Sequence, residues 1–165
     1  DICECYTLSL HDDLPFGESY GVCFGRWMGD CACRCLSDAF DLVTWVPVSR
    51  KRLRERGFDQ CRLLAMQVAK VYGKRPVRTL KKWKDIPALA SGKGGRAERQ
   101  KQVNGVYRGV CTGRIAGKHI LLVDDIITTG STLDEAARTL LAAGAAEVCC
   151  VTAARTPVHQ DEKEM

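Results

Sequence analysis

Residues 118–154 constrain this chain more than any other stretch. Ile120-Leu121-Leu122-Val123 is a continuous apolar run, and a strand apolar on both faces belongs inside a parallel sheet. Polar residues follow as Asp124-Asp125-Ile126-Ile127-Thr128-Thr129-Gly130-Ser131-Thr132, which read as a loop. A helix is then expected over 132–143, with Leu133, Ala136, Ala137, Leu140 and Leu141 inward and Gly144 at its end. Thr132 and Glu135 have the spacing of a capping box. Residues 147–153 read as the next strand. Strand, helix and strand in this order form a βαβ unit, which closes with right-handed sense. The expected fold class is therefore α/β, an open, mainly parallel twisted sheet flanked by helices.

The rest of the chain must supply the neighbours of that unit. Residues 42–48 (Leu-Val-Thr-Trp-Val-Pro-Val) are apolar and β-branched enough for a second buried strand, ended by Ser49-Arg50-Lys51-Arg52. An amphipathic helix is expected over 19–36, its inner face made of Tyr20, Cys23, Phe24, Trp27, Met28, Cys31 and Cys35. Another is expected over 58–72, with Cys61, Leu64, Ala65 and Val68 on one face, closed by Gly73. A short strand is expected at 77–80, and residues 84–105, glycine-rich and aperiodic, read as a long loop of the functional kind. The domain reading is a helical segment at 1–40, a core at 41–157 and an acidic tail at 158–165.

Composition excludes several classes. With 45% hydrophobic and 27% charged residues, the chain is globular rather than disordered. It contains no apolar run long enough for a membrane span. Its start, Asp1, reads as that of a trimmed chain, and no signal peptide is visible in it. Ten cysteines without an export signal point to a reducing cytoplasm. Cys3, Cys5, Cys31, Cys33 and Cys35 could offer thiolates to zinc, but their one-residue spacing does not suit a metal knuckle. Cys23, Cys31 and Cys35 fit better as small buried side chains. Cys149 and Cys150 adjoin in a strand and must point to opposite faces.

Charge is unevenly distributed. Residues 50–101 carry seventeen Lys/Arg against four Asp/Glu, and a block this basic predicts an anionic partner. The start of the 132–143 helix offers a place for one. Free backbone amides and the positive dipole end form a phosphate socket, Gly130 lets the chain curl, and the hydroxyls of Thr128, Thr129, Ser131 and Thr132 add donors. No Gly-x-x-x-x-Gly-Lys-[Ser/Thr] motif occurs, so a nucleoside-triphosphate loop is not supported. Asp124 and Asp125 would repel phosphate and must serve another part of the ligand, such as sugar hydroxyls or a hydrated Mg²⁺. His11, His119 and His159 are isolated, and His119 lies at the wrong end of its strand.

At this point the chain resembles a known family. Leu122-Val123-Asp124-Asp125-Ile126-Ile127-Thr128-Thr129-Gly130-Ser131-Thr132 is similar to the phosphoribosyl-pyrophosphate (PRPP) motif of type I phosphoribosyltransferases. The segment from Trp45 to Gln60, with Arg56-Gly57-Phe58-Asp59-Gln60, resembles the ComF family of competence-associated phosphoribosyltransferase-like proteins. The resemblance implies that Asp124 and Asp125 hold the ribose hydroxyls. It implies further that Thr128, Thr129, Gly130, Ser131 and Thr132 hold the 5′-phosphate, and that Ser49, Arg50 and Lys51 form a pyrophosphate loop, with Mg²⁺ carried mainly by PRPP. The chain departs from the family at Leu89 and Gln102, where glutamine and asparagine are usual, and the family's four-cysteine ribbon is absent or cut away.

The function expected is transfer of a phosphoribosyl group to an unknown nitrogen acceptor. The alternatives are a catalytically weak PRPP-sensing adaptor of the DNA-uptake machinery and a single-stranded DNA binder. Lys74, Arg75, Arg78, Lys81, Lys82 and Lys84 are left over by the phosphoribosyl chemistry and are the nucleic-acid candidates. A homodimer is left open.

Overall fold

The structure, a computed structural model, describes residues 18–36, 40–84 and 105–156. Readings on Cys3, Cys5, His11, Leu89, Gln102, His159 and the 158–165 tail lie outside the described residues. The elements are α1 (Glu18–Leu36), β1 (Leu42–Trp45), α2 (Arg50–Arg56), α3 (Gln60–Val71), β2 (Leu80–Lys82), β3 (Tyr107–Gly109), β4 (His119–Ile127), α4 (Ser131–Ala142) and β5 (Glu147–Arg155).

β4 is the middle strand of a parallel sheet ordered β1-β4-β5. Trp45 pairs with Val123, and Val123 in turn with Val151, so all three strands point the same way. Ile120, Leu121, Leu122 and Val123 are each 1% exposed or less, as their unbroken apolarity demands. Each such side chain contributes about 2 kcal/mol by leaving water. Alternation divides the sheet's two faces. Val43, Trp45, Leu121, Val123, Val151 and Ala153 pack with α1 and α3, whereas Ile120, Leu122 and Cys150 pack with α4, β2 and β3. Cys149 joins the first layer and Cys150 the second, which is the expected opposition. His119, at the start of β4, meets Glu147 with Nδ1 3.1 Å from Oε2, at the far end from the β4–α4 turn.

Several sequence expectations need correction. Residues 50–56 form a helix rather than a loop, with Ser49 as its N-cap, its Oγ accepting from the Arg52 amide at 3.2 Å. β4 runs on through Asp124 and Asp125 to Ile127, because β5 continues to pair with it as far as Arg155. The short strand lies at 80–82 rather than 77–80, since Leu80 pairs with Gly109, the last residue of its antiparallel partner β3. Val77 instead donates to the Val43 carbonyl at 2.8 Å, and the hydroxyls of Thr44 and Thr79 meet in the interior at 2.6 Å. The capping box does not form. α4 starts at Ser131 with Gly130 as N-cap, and Glu135 turns away to accept from the Gly105 amide at 2.6 Å and from Arg138.

The inner face of α1 is only partly the expected one: Met28 is buried and Phe24 packs on the core. Cys23 and Cys35 are exposed, Cys31 is half-buried, and Trp27 is 58% exposed. The buried set is Gly21, Gly25, Met28, Gly29 and Ala32, a face rotated by about one residue. Glycine on this face lets α1 approach α3 closely. A methyl built on Gly25 would stand 2.5 Å from Gln67 Cβ, and one on Gly29 2.6 Å from Val71 Cγ2. Gly25→Val should therefore overpack the α1–α3 contact and cost about 2 kcal/mol, whereas Cys23→Ser on the exposed side should stay within about 0.5 kcal/mol. Urea denaturation of the two variants measures the contrast, and equal losses would place the packed face elsewhere.

Candidate active site at the carboxyl edge of the sheet

Because β1 and β4 are parallel neighbours, the segments leaving them emerge at one edge. The Val46 amide donates to the Val123 carbonyl at 3.0 Å, which carries Pro47, Val48 and Ser49 out beside Asp124. α3 begins at the same edge. Asp59 caps it by accepting from the Arg62 amide at 3.1 Å through Oδ1, and Oδ2 accepts from the Trp45 indole at 3.1 Å. The end of β1 thus fixes the start of α3, and the second residue of that helix, Cys61, is buried against Asp124.

Asp124 is 5% exposed. Its Oδ1 accepts from the Cys61 thiol at 3.3 Å and from the Asp125 amide at 2.9 Å. Burial first, and the neighbouring Asp125 charge second, push its pKa well above the ordinary carboxylate range; the donation from Cys61 pulls the other way. Burial likewise pushes the Cys61 thiol up, with Asp124 and Asp125 adding to it, so the thiol stays protonated and remains a donor. Asp125 is half-buried, and its Oδ1 accepts from the Ile126 amide at 2.8 Å. Tyr107 on β3 is a further neighbour. Burial raises its pKa, and the Asp124 charge raises it more.

Beyond Ile127 the chain turns through Gly130, whose φ of +79° is the left-handed conformation that glycine takes without strain. Its side makes no capping hydrogen bond to α4, so the amides of the first turn stay open toward the turn, at the positive end of the dipole. Thr129 and Ser131 share a hydrogen bond of 3.0 Å between their hydroxyls, with Ser131 buried and Thr128 and Thr132 exposed. The structure therefore brings two carboxylates, a glycine turn and an uncapped helix start into one contiguous stretch.

Nearby basic residues line two hollows that share Arg50. The larger, of about 960 Å³, has Arg50, Arg62, Lys70, Lys74, Arg75 and Arg78 on its walls over Pro47, Val48 and Met66. The smaller, of about 270 Å³, is lined by Arg50, Lys81, Lys82 and Trp83. Trp83 is 53% exposed, with Arg108 4.0 Å and Lys81 5.6 Å from its ring centre. Lys84 is exposed outside both hollows, and Lys51 reaches Glu55 at 4.0 Å.

For a metal, Cys61, Asp124 and Asp125 place ligand atoms within 4.8 Å of one another. A protonated thiol is a poor partner for Mg²⁺, which takes oxygen ligands and keeps its waters. Sequence reasoning placed Cys61 only on the packed face of its helix and Glu135 only in a capping box, and it missed Tyr107 altogether. Cys61 stood out in one respect alone, as the polarisable residue nearest the amino-terminal end of that face.

Comparison with known proteins bears on this arrangement. Residues 62–165 match the phosphoribosyl transferase domain model. The chain is 30% identical over 115 residues to Competence protein F of Haemophilus influenzae, a match covering 62% of this chain and 45% of that protein. The chain therefore spans less than half the length of this relative. Among solved structures it is similar to the allosteric regulatory enzyme of purine biosynthesis, with a TM-score of 0.55 and 25% identity, over 82% of this chain and 26% of the other. No helix of the described residues is long and apolar enough to cross a membrane.

The raised pKa of Asp124 has a thermodynamic consequence. The folded state holds its proton more tightly than the unfolded chain does, so the group favours folding at acid pH and loses that contribution as pH rises through the folded value. Asp124→Asn is neutral throughout. Its melting temperature should gain on the wild type as pH rises above about 4, the ordinary carboxylate value, and a gap that narrows would mean that Asp124 is ionised comfortably in the fold.

Proposed function

The chain belongs to the phosphoribosyl transferase domain family, with the type I phosphoribosyltransferase fold, and from that premise we propose that it binds PRPP with Mg²⁺ and transfers the phosphoribosyl group to a nitrogen acceptor. In this reading residues 41–157 are the core and residues 1–40 an accessory helical segment of a cytoplasmic protein. The observation that carries it is the order of groups at the end of β4. Two carboxylates come first, and a left-handed glycine and an uncapped helix follow. This order matches a sugar with hydroxyls on one side and a phosphate on the other. Asp124 and Asp125 accept from the ribose 2′- and 3′-hydroxyls. Thr128, Thr129, Gly130, Ser131 and Thr132 receive the 5′-phosphate through amides and hydroxyls. Ser49, Arg50 and Lys51, at the neighbouring strand end, face the pyrophosphate.

Mg²⁺ carried by PRPP would supply neutralisation of the charge on the leaving pyrophosphate; the protonated Cys61 thiol beside Asp124 and Asp125 is a poor Mg²⁺ ligand and argues against a separate protein cage. The acceptor nitrogen's lone pair forms the new bond at the anomeric carbon. The bond to pyrophosphate breaks through an oxocarbenium-like state, and its electron pair leaves with the pyrophosphate. Arg50 and Lys51 stabilise the charge that develops there. The proton of an N–H acceptor passes to the departing pyrophosphate or to solvent, and no general base is assigned among the named residues.

A second reading is favoured by one specific observation, the exposed Trp83 with cations on and around its ring. An aromatic platform beside a basic surface suits single-stranded nucleic acid. Lys74, Arg75, Arg78, Lys81, Lys82 and Lys84 would then track its phosphates, and the PRPP site would act as a sensor in DNA uptake.

Calorimetric titration with PRPP and Mg²⁺ should give saturable binding that is lost in the Asp124→Asn/Asp125→Asn double variant; unchanged affinity would sink the reading. Pyrophosphate release across a panel of bases and amines separates transferase from sensor, and silence across the panel favours the sensor. For the nucleic-acid reading, a gel shift with single-stranded DNA should weaken as salt rises and fall about tenfold in Trp83→Ala. Retention of the shift in that variant would remove the stacking role.

A further inference from the structure

We propose that Cys61 is a positioning residue for the β4 carboxylate, its thiol holding Asp124 by Oδ1 so that Oδ2 is the oxygen offered to a ligand. Two donors converge on Oδ1, the Cys61 thiol at 3.3 Å and the Asp125 amide at 2.9 Å. The amide belongs to the next residue and moves with the strand. The thiol comes from 63 residues away and ties the carboxylate to a different element, the start of α3.

That start is itself held in place. Asp59, two residues earlier, caps α3 and accepts from the Trp45 indole at 3.1 Å. The chain of contacts runs from the end of β1 through Asp59 and Cys61 to the end of β4. It therefore joins the two strand ends from which the proposed pyrophosphate and ribose contacts arise. Cys61 is 3% exposed, and its protonated state is secured by burial and by the neighbouring carboxylates. Its chemistry here is hydrogen-bond donation, because a thiol this enclosed is a poor nucleophile and a poor target for oxidants.

What the oriented carboxylate holds rests on the PRPP reading, whereas the thiol–carboxylate contact does not. The experiment accordingly has two arms. In the ligand-free protein, at a pH high enough to ionise Asp124, the infrared S–H stretching band that disappears in Cys61→Ser should move to higher frequency in Asp124→Asn, whose amide carbonyl is a weaker acceptor than the carboxylate. A band that stays in place overturns the inference. In PRPP and Mg²⁺ titrations, Cys61→Ala should bind about tenfold more weakly than wild type, while Cys61→Ser, which keeps a donor, should stay within about threefold. Equal losses in the two variants reduce Cys61 to packing, and wild-type affinity in both removes it from the site; either result overturns the inference. Should wild-type protein fail to bind PRPP, the proposed function falls, and the infrared arm alone decides for or against the positioning role.

Discussion

The parallel pairing of β1 with β4 is the constraint on which everything else depends. Hydrogen bonding of Trp45 opposite Val123 forces both strands to finish at one edge of the sheet. A cationic segment and a pair of carboxylates, far apart in sequence, thereby become neighbours. Had β1 run antiparallel, Ser49 and Arg50 would lie beside His119 instead. The pairing is stabilised from both sides, by the α1–α3 layer on one face and by α4 with the β2–β3 pair on the other. That double cover is why β4 can be apolar over four consecutive residues.

This central strand was legible in the sequence because its signal is local and redundant. Unbroken apolarity marks a strand buried on both faces, and the glycine and hydroxyl residues after it mark a turn into a helix. The stretch read as strand, turn and helix folds in that order, with Gly130 at the turn. Elsewhere the signal was ambiguous for identifiable reasons. In α1 Met28 and Phe24 turn to the core as expected, but Cys23, Trp27 and Cys35 face outward and glycines take their place inside, so hydrophobic periodicity selected a stripe only partly right. In 50–56 the density of arginine hid a helix that buries nothing and depends on the Ser49 cap.

Other features were illegible in principle from one sequence. Glu135 looks like half of a capping box by spacing, yet it is drawn to an amide thirty residues upstream. Cys61 looks like any small residue on a packed face until Asp124 is placed beside it. These are long-range polar contacts, and neither propensity nor periodicity carries information about them. The family resemblance supplied roles for positions in the motif, but it was silent on the thiol behind Asp124 and on the phenol of Tyr107.

The ends of the segment between β2 and β3 carry a consequence of a different kind. Trp83 donates to the Val106 carbonyl at 2.7 Å, and the amide of Gly105 is held by Glu135. Entry and exit of that segment are thus clasped side by side by contacts that do not involve its interior. A chain closed in this way tolerates insertion cheaply, since doubling its length adds only about 0.6 kcal/mol of closure entropy. Lengthening the chain between Lys84 and Gly105 should consequently cost the scaffold that holds its two ends little.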